Sequence, residues 1–259
     1  MARTKGPIYD QILDWSTTGQ KGLGWLIDPD KFDPSILSIL KTKNNGLSAL
    51  DFILVGGSQM DADVFQDSLR LIKEAAQNIP LIIFPGSNAQ LSEDAEAILF
   101  LSLLSGRNPR FLVEEQVQAA RRVDGFDLEV IPTAYILVND GHIGSVHHAS
   151  GTFPIPNSDI QKCVDTALAG KFMGMKLTYL DAGSGLDSTV SARVVGAIKE
   201  KVKNPIIVGG GIDSLDKLKS AYAAGADLVV IGNAIEKDPN FLVEVLKYKE
   251  LRNFSSHVN

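Results

Sequence analysis

Pro205–Glu236 reads PIIVGGGIDSLDKLKSAYAAGADLVVIGNAIE. The apolar run Pro205–Val208 stops at three glycines, Gly209, Gly210 and Gly211. An amphipathic segment follows, and a second apolar run, Leu228–Ile231, ends in Gly232-Asn233. Two buried parallel strands, each ending in glycine just before a helix, make a cradle for a phosphate. Glycine lets the main chain approach the anion, and the N–H groups and helix start supply donors and positive potential. In a (β/α)8 barrel, strands 7 and 8 build such a site.

Outward from this stretch, eight short apolar runs alternate with amphipathic segments, the pattern of βα units around a parallel sheet. The runs are Leu23–Ile27, Phe52–Val55, Leu81–Phe84, Ala97–Leu104, Val130–Val138, Met175–Leu180, Ile206–Val208 and Leu228–Ile231. Helical patterns cover Pro34–Lys41, Ala62–Gln77, Val113–Arg122, Ser158–Ala169, Thr189–Val202, Leu215–Ala224 and Phe241–Lys249, with Asp61, Ser158, Ser188 and Ser214 as expected N-caps. Eight strands in this order predict a closed barrel. Between Phe84 and Ala97 the chain reads PGSNAQLSEDAE, too short and polar for a crossover helix with its loops, so the third helix is expected to be missing or vestigial. Asn139–Pro156 has no periodicity and reads as a long loop after the fifth strand, on the face where barrels keep their active sites.

The length, 259 residues, suits one α/β domain spanning 1–259, and a 44% hydrophobic content is ordinary for a globular chain. Lys and Arg number 25 against 31 Asp and Glu, a net charge of −6, which argues against a nucleic-acid partner. A single cysteine, Cys163, excludes an internal disulfide and fits a reducing, cytoplasmic setting. The N-terminal MARTKGPIYDQILDW has no apolar core of signal-peptide length, and no run approaches the ~20 apolar residues of a membrane span.

Candidate chemistry gathers at the ends of the predicted strands. Asp28, in IDPDK, stands where barrel catalytic residues collect, as a hard ligand for Mg2+ or as a helix cap. Gly56, Gly57 and Ser58 form a second nest or a plain tight turn, with the Ser58 hydroxyl available to a metal or anion. Tyr179 and Asp181 share one face of the sixth strand, followed by the donor-rich loop Gly183-Ser184-Gly185. A carboxylate beside a phosphate cradle can take the proton of a substrate hydroxyl. Arg107 and Arg110, after the fourth strand, are candidates to face a diphosphate, which arginine binds bidentately. His142, His147 and His148 lack metal-ligand spacing and read as solvated loop residues.

These pieces, in the order LIDPDK, GGS, FPGS, SLLSGRNP, IPTAYILVN, YLDAGSG, GGGI and GNAIE, resemble the geranylgeranylglyceryl phosphate synthase family, with its bacterial heptaprenylglyceryl relatives, over nearly the whole chain. The resemblance implies a modified TIM barrel without its third helix. It implies transfer of a polyprenyl group, geranylgeranyl by expectation, from its diphosphate to the 3-hydroxyl of sn-glycerol 1-phosphate. By the same resemblance, Mg2+ is held by Asp28 and Ser58. Glycerol phosphate is bound by Tyr179, Leu180, Asp181, Ala182, Gly183, Ser184, Gly185, Gly210, Gly211, Gly232 and Asn233, with Asp181 and Tyr179 at the chemistry. Assembly into dimers or hexamers is implied too. Phe84, Phe100, Tyr135 and Leu137, on strands beside the missing helix, are candidates to line a prenyl groove. Two departures stand out: Asp181 replaces a glutamate of many members, and Leu26 replaces a lysine, leaving Arg107 or Lys31 to help neutralise the diphosphate. The rival readings are a sugar- or indole-phosphate isomerase or lyase, a flavin-binding barrel, and a non-catalytic barrel that senses a phosphorylated ligand.

Overall fold

The structure, a computed structural model, describes residues 6–36, 49–57, 60–76 and 78–256. Eight parallel strands close in sequence order: β1 (Gly22–Ile27), β2 (Phe52–Val55), β3 (Leu81–Ile83), β4 (Ala97–Leu103), β5 (Glu129–Leu137), β6 (Leu177–Asp181), β7 (Ile206–Gly209) and β8 (Leu228–Ile231). Closure is made by β1 on β8, with Gly22 opposite Leu228 and Trp25 opposite Ile231. No edge strand remains, so every strand is buried on both faces. That is why the runs read as continuously apolar rather than alternating.

Alternation along each strand nevertheless sorts the core into two layers. Phe52, Leu54, Ile131, Leu177, Tyr179, Ile207 and Val230 pack inside the barrel. Ile53, Val55, Ile136, Leu180, Val208 and Ile231 pack outward against the helices.

Among the described residues, the helices with both ends defined are α1 (Pro7–Thr18), α2 (Ala62–Ala76), α3 (Glu115–Gly125), α4 (Ser145–Ser150), α5 (Ile160–Phe172), α6 (Ala192–Val202), α7 (Leu215–Ala224), α8 (Asn233–Lys237) and α9 (Pro239–Ser256). Residues 84–96 run from β3 to β4 through turns alone, so the third crossover helix is missing, as the short polar segment predicts. The helix expected at Pro34–Lys41 falls largely outside the described residues.

Several details differ from the sequence expectation. The caps are Asp159 and Ser191 rather than Ser158 and Ser188, each accepting an N–H three residues on, while Ser214 caps α7 as expected. The loop after β5 contains α4 and a single parallel bridge, Val138 to Ile155, so it is not irregular throughout. A π-helical turn, Arg110–Glu114, precedes α3.

The unpredicted element is α1. Its N-terminal amides are held from below by Glu129 at the start of β5, which accepts from Ile8 N at 3.0 Å and Tyr9 N at 2.9 Å. Ile8, Ile12 and Trp15 bury into the lower end of the inner core. Trp15 lies across Gly22, where any Cβ would collide with its ring, and against Phe52 at 5.5 Å. The bottom of the barrel is thus stoppered, leaving the C-terminal mouth as the accessible end.

Candidate active site

The site begins on β6. Its alternation turns Tyr179 and Asp181 inward and Leu180 outward into the helix layer. Asp181 is 8% exposed at the end of the strand. Its carboxylate accepts the Tyr135 hydroxyl at 2.5 Å and the Gly183 N–H at 2.8 Å. Burial raises its proton affinity above the ordinary carboxylate range, and those two hydrogen bonds oppose the shift. Tyr135 reaches it because β5 pairs with β6 in register, Tyr135 opposite Tyr179. Phe84, Tyr135 and Tyr179 form an aromatic cluster beneath, with centroids 5.0–5.7 Å apart. Burial and the nearby Asp181 charge hold both tyrosine hydroxyls protonated well beyond neutral pH. Tyr135 is therefore a donor to Asp181, and neither tyrosine is a base.

The glycine turns close around this carboxylate. Gly210 and Gly211 take positive φ, +78° and +67°, where other residues are strained. A Cβ on Gly210 would stand 2.5 Å from Asp181 Oδ1 and 2.8 Å from Gly183 N. The turns after β6 and β7 are thus packed backbone to backbone. Ser184 Oγ reaches Asn233 Oδ1 at 3.2 Å and ties the β6 loop to the turn after β8. Gly232 differs: its φ is −114°, and a Cβ would find only ordinary contact, Leu26 O at 3.4 Å. Helix α8 has five residues, so backbone donors rather than a macrodipole are what this turn offers an anion.

On the neighbouring wall, Asp28 ends β1. It is a cap, one of the two readings the sequence left open: its side chain accepts Asp30 N at 3.3 Å at the start of the 3-10 turn Pro29–Lys31, and the residue also lines the cavity. Its Oδ2 pairs with Lys31 Nζ at 2.7 Å. Gly57 lies so close that a Cβ there would be 2.9 Å from Asp28 Oδ1. Glu236 of α8 accepts the Asp28 N–H, and burial, with Asp28 beside it, raises the proton affinity of Glu236. Ser58 lies outside the described residues. Among the described residues no three His, Cys, Asp or Glu cluster as metal ligands. One wall carboxylate facing a cavity suited to phosphates nonetheless fits Mg2+, which commonly takes one or two carboxylates plus substrate phosphate oxygens.

These groups share one cavity of about 810 Å3 at the barrel mouth. From the sequence-derived set it is lined by Asp28, Tyr179, Asp181, Ser184, Gly185, Gly210, Gly211, Gly232 and Asn233. Leu180, Ala182 and Gly183 do not line it. The first two are fully buried in the helix layer, and the Gly183 N–H is spent on Asp181. The cavity extends past Phe84 to Ile98, Phe100, Phe111 and Ala119, where the third helix would have lain. Of the four groove candidates, Phe84, Phe100 and Tyr135 line it. Leu137 is turned into the inner core, and Tyr135 serves the Asp181 end.

Arg107 and Arg110 are not on the cavity wall. Arg107 donates to Ser105 O and Thr166 Oγ1, and Arg110 pairs with Glu115 at 2.8 Å. Glu236 and the Tyr135–Asp181 bond escaped the sequence reading. Each depends on which strands become neighbours, and nothing local to those residues signals it.

A family model described as the PcrB family matches residues 20–250. The geranylgeranylglyceryl phosphate synthase of Flavobacterium johnsoniae is 46% identical over 90% of this chain and 96% of its own length. That of Spirosoma linguale is 40% identical over 90% and 93%. Among solved structures, (S)-3-O-geranylgeranylglyceryl phosphate synthase from Thermoplasma acidophilum, in complex with its substrate sn-glycerol-1-phosphate, superposes with a TM-score of 0.82 at 33% identity, covering 90% of this chain and 93% of that one. A buried carboxylate between glycine turns, a closed barrel without its third helix, and a match over most of the chain agree, and the protein belongs to the PcrB family.

Proposed function

We propose that the protein transfers a polyprenyl group, geranylgeranyl in the first instance, from its diphosphate to the 3-hydroxyl of sn-glycerol 1-phosphate. The observation that carries this reading is the placement of Asp181. It is a buried carboxylate between the glycine turns of β6–β8, at the polar end of a cavity whose other end is apolar. The Thermoplasma acidophilum neighbour, which binds sn-glycerol-1-phosphate, supports it. An isomerase or lyase of a small sugar phosphate has no use for the apolar extension.

In this reading the amides of Gly210, Gly211, Gly232 and Asn233 hold the phosphate, and Ser184 orients the glycerol. The prenyl chain lies along Phe84, Phe100 and Phe111, which exclude water from the reacting carbon. The bond between prenyl C1 and the diphosphate oxygen breaks, and the glycerol O3 bonds to C1. The O3 proton passes to Asp181, whose proton affinity is raised by burial above that of an ordinary carboxylate. Asp28, with Ser58 as its partner by resemblance, would hold Mg2+, which would supply charge neutralisation to the departing diphosphate. The side-by-side seats supply orientation.

The test is product formation from sn-glycerol 1-phosphate, Mg2+ and prenyl diphosphates of graded length. Ether-linked prenylglyceryl phosphate is expected. Asp28→Asn, stripped with EDTA and repleted with Mg2+, is expected to fold and to lose most turnover. Full activity of that variant overturns the metal assignment. Absence of product with every prenyl diphosphate overturns the reaction.

A further inference from the structure

After β6 the chain forms one wall of the cavity before it enters α6, and the turn after β7 forms the next. Leu186 and Asp187 line the cavity from the first segment, Gly211, Ile212 and Asp213 from the second. The two are in backbone contact: a Cβ on Gly211 would stand 2.1 Å from Ser188 O and 3.0 Å from Thr189 N. A shift of residues 187–189 therefore changes the support of the Gly211 amide. The hydroxyls of this segment do not hold it in place. Ser188 Oγ and Thr189 Oγ1 are both buried and have no hydrogen-bond partner among the described residues. Unpaired buried hydroxyls disfavour this course of the chain, so ties from outside must fix it. One end is tied by Ser184 Oγ to Asn233, the other by Ser191 N, which donates to Asn157 Oδ1 at 2.8 Å. Between them Lys217, in the first turn of α7, reaches across and donates to Asp187 O at 2.5 Å. The same ammonium donates to Asp213 Oδ2 at 2.8 Å. Three N–H donors let one lysine serve both acceptors. Lys217 is not among the residues of the cavity wall, so it reaches a ligand only through the residues it holds.

We propose that Lys217 is a positioning residue for the glycerol phosphate seat: it draws the segment after β6 against Gly211 and so fixes the Gly211 amide without touching the ligand. The proposal rests on the prenyl-transfer reading for its ligand and adds to it a residue outside the cavity. An amide seat binds an anion well only when its N–H groups are already aimed, and a charge-assisted bond to a main-chain carbonyl is a strong way to hold that aim. The pairing with Asp213 sets a rival account, neutralisation of a carboxylate on the wall, and the experiment separates the two.

The experiment is calorimetric titration of the full chain with sn-glycerol 1-phosphate, and in parallel with inorganic pyrophosphate at saturating Mg2+, followed by steady-state kinetics. Wild type, Lys217→Met, Lys217→Arg and Lys217→Met combined with Asp213→Asn are compared. Lys217→Met should weaken glycerol phosphate roughly tenfold, the loss of one charge-assisted hydrogen bond, and pyrophosphate by less than about twofold. KM for glycerol phosphate should rise by the same factor with kcat at saturation within about twofold, a split that partial unfolding does not give. Lys217→Arg keeps the charge and the donors and should recover most of the affinity. Should Lys217→Met melt below the titration temperature, Lys217→Gln, which keeps a weaker donor, takes its place with the same expected split. Unchanged glycerol phosphate affinity overturns the proposal, as does an equal loss of pyrophosphate. Recovery of affinity on adding Asp213→Asn also overturns it, because Lys217 would then act only by neutralising that carboxylate. If wild type makes no prenyl product yet binds glycerol phosphate in a Lys217-dependent way, the positioning role stands and the reaction assignment falls.

Discussion

Asp181 answers two demands that pull apart. Catalysis wants a carboxylate that takes a proton, and burial supplies the raised proton affinity. Stability pays for it. A carboxyl whose folded pKa lies above its unfolded value, about 3.9, binds more protons folded than unfolded, so stability falls as pH rises through that window and stays low above it. Asp181→Asn is accordingly expected to lower kcat by about 10²–10⁴-fold. In urea unfolding it should leave the protein at least as stable at pH 7 and less pH-dependent from pH 4 to 7. Loss of stability at pH 7 would count against this account. Tyr135→Phe removes the donor that opposes the shift, so the acid limb of kcat/KM should move to higher pH. The glycines separate in the same way. Gly232→Ala has room in the fold, so it should keep its melting temperature while glycerol phosphate affinity falls, as calorimetry would record. Gly210→Ala has positive φ and a collision with Asp181, so it should lose stability and both ligands together.

Among the elements, α1 is the one whose role the strand pattern conceals. It follows no strand of the barrel, yet it fills the lower opening with Ile12 and Trp15 and is tied there by Glu129. Trp15→Ala should cost about 3–5 kcal/mol in denaturant unfolding, the usual cost of emptying a large aromatic site, with KM for both substrates nearly unchanged because the cavity is at the opposite end. A fall in stability below 1 kcal/mol, by about the error of such measurements, would show that the plug is not part of the core. The missing third helix is the complementary case. Its absence is legible in PGSNAQLSEDAE, and its consequence is an opening lined by Phe100, Phe111 and Ala119.

For the molecule as a whole, the two ends of the barrel carry different electrostatics. The lower end gathers lysines on the buried Asp227: half-buried Lys199 bonds it at 2.6 Å, and buried Lys21, 3.7 Å from the same carboxylate, has its pKa pushed down to about 8 by burial first. A lysine with a lowered folded pKa binds fewer protons folded than unfolded between pH 8 and 10.5, so its contribution to stability is lost as pH falls toward 8 and is regained above. Lys21→Met should therefore gain on the order of 1–3 kcal/mol at pH 7 relative to wild type, and the gain should shrink by pH 9.5 in parallel unfolding curves. A gain independent of pH would assign it to packing alone. The amino-acid order by itself determined the eight strands, the absent third helix, the glycine cradle and the carboxylates at strand ends. All of these follow from period, length and residue type within a few positions of chain. Only the tertiary structure decided that Tyr135 serves Asp181 rather than the groove, that Leu137 faces the core, that Arg107 and Arg110 turn away, and that Glu236 stands beside Asp28. Those facts depend on register and on the closure of β8 onto β1. Pairing of strands far apart in sequence selects one neighbour for each side chain, and local chemistry does not encode that choice.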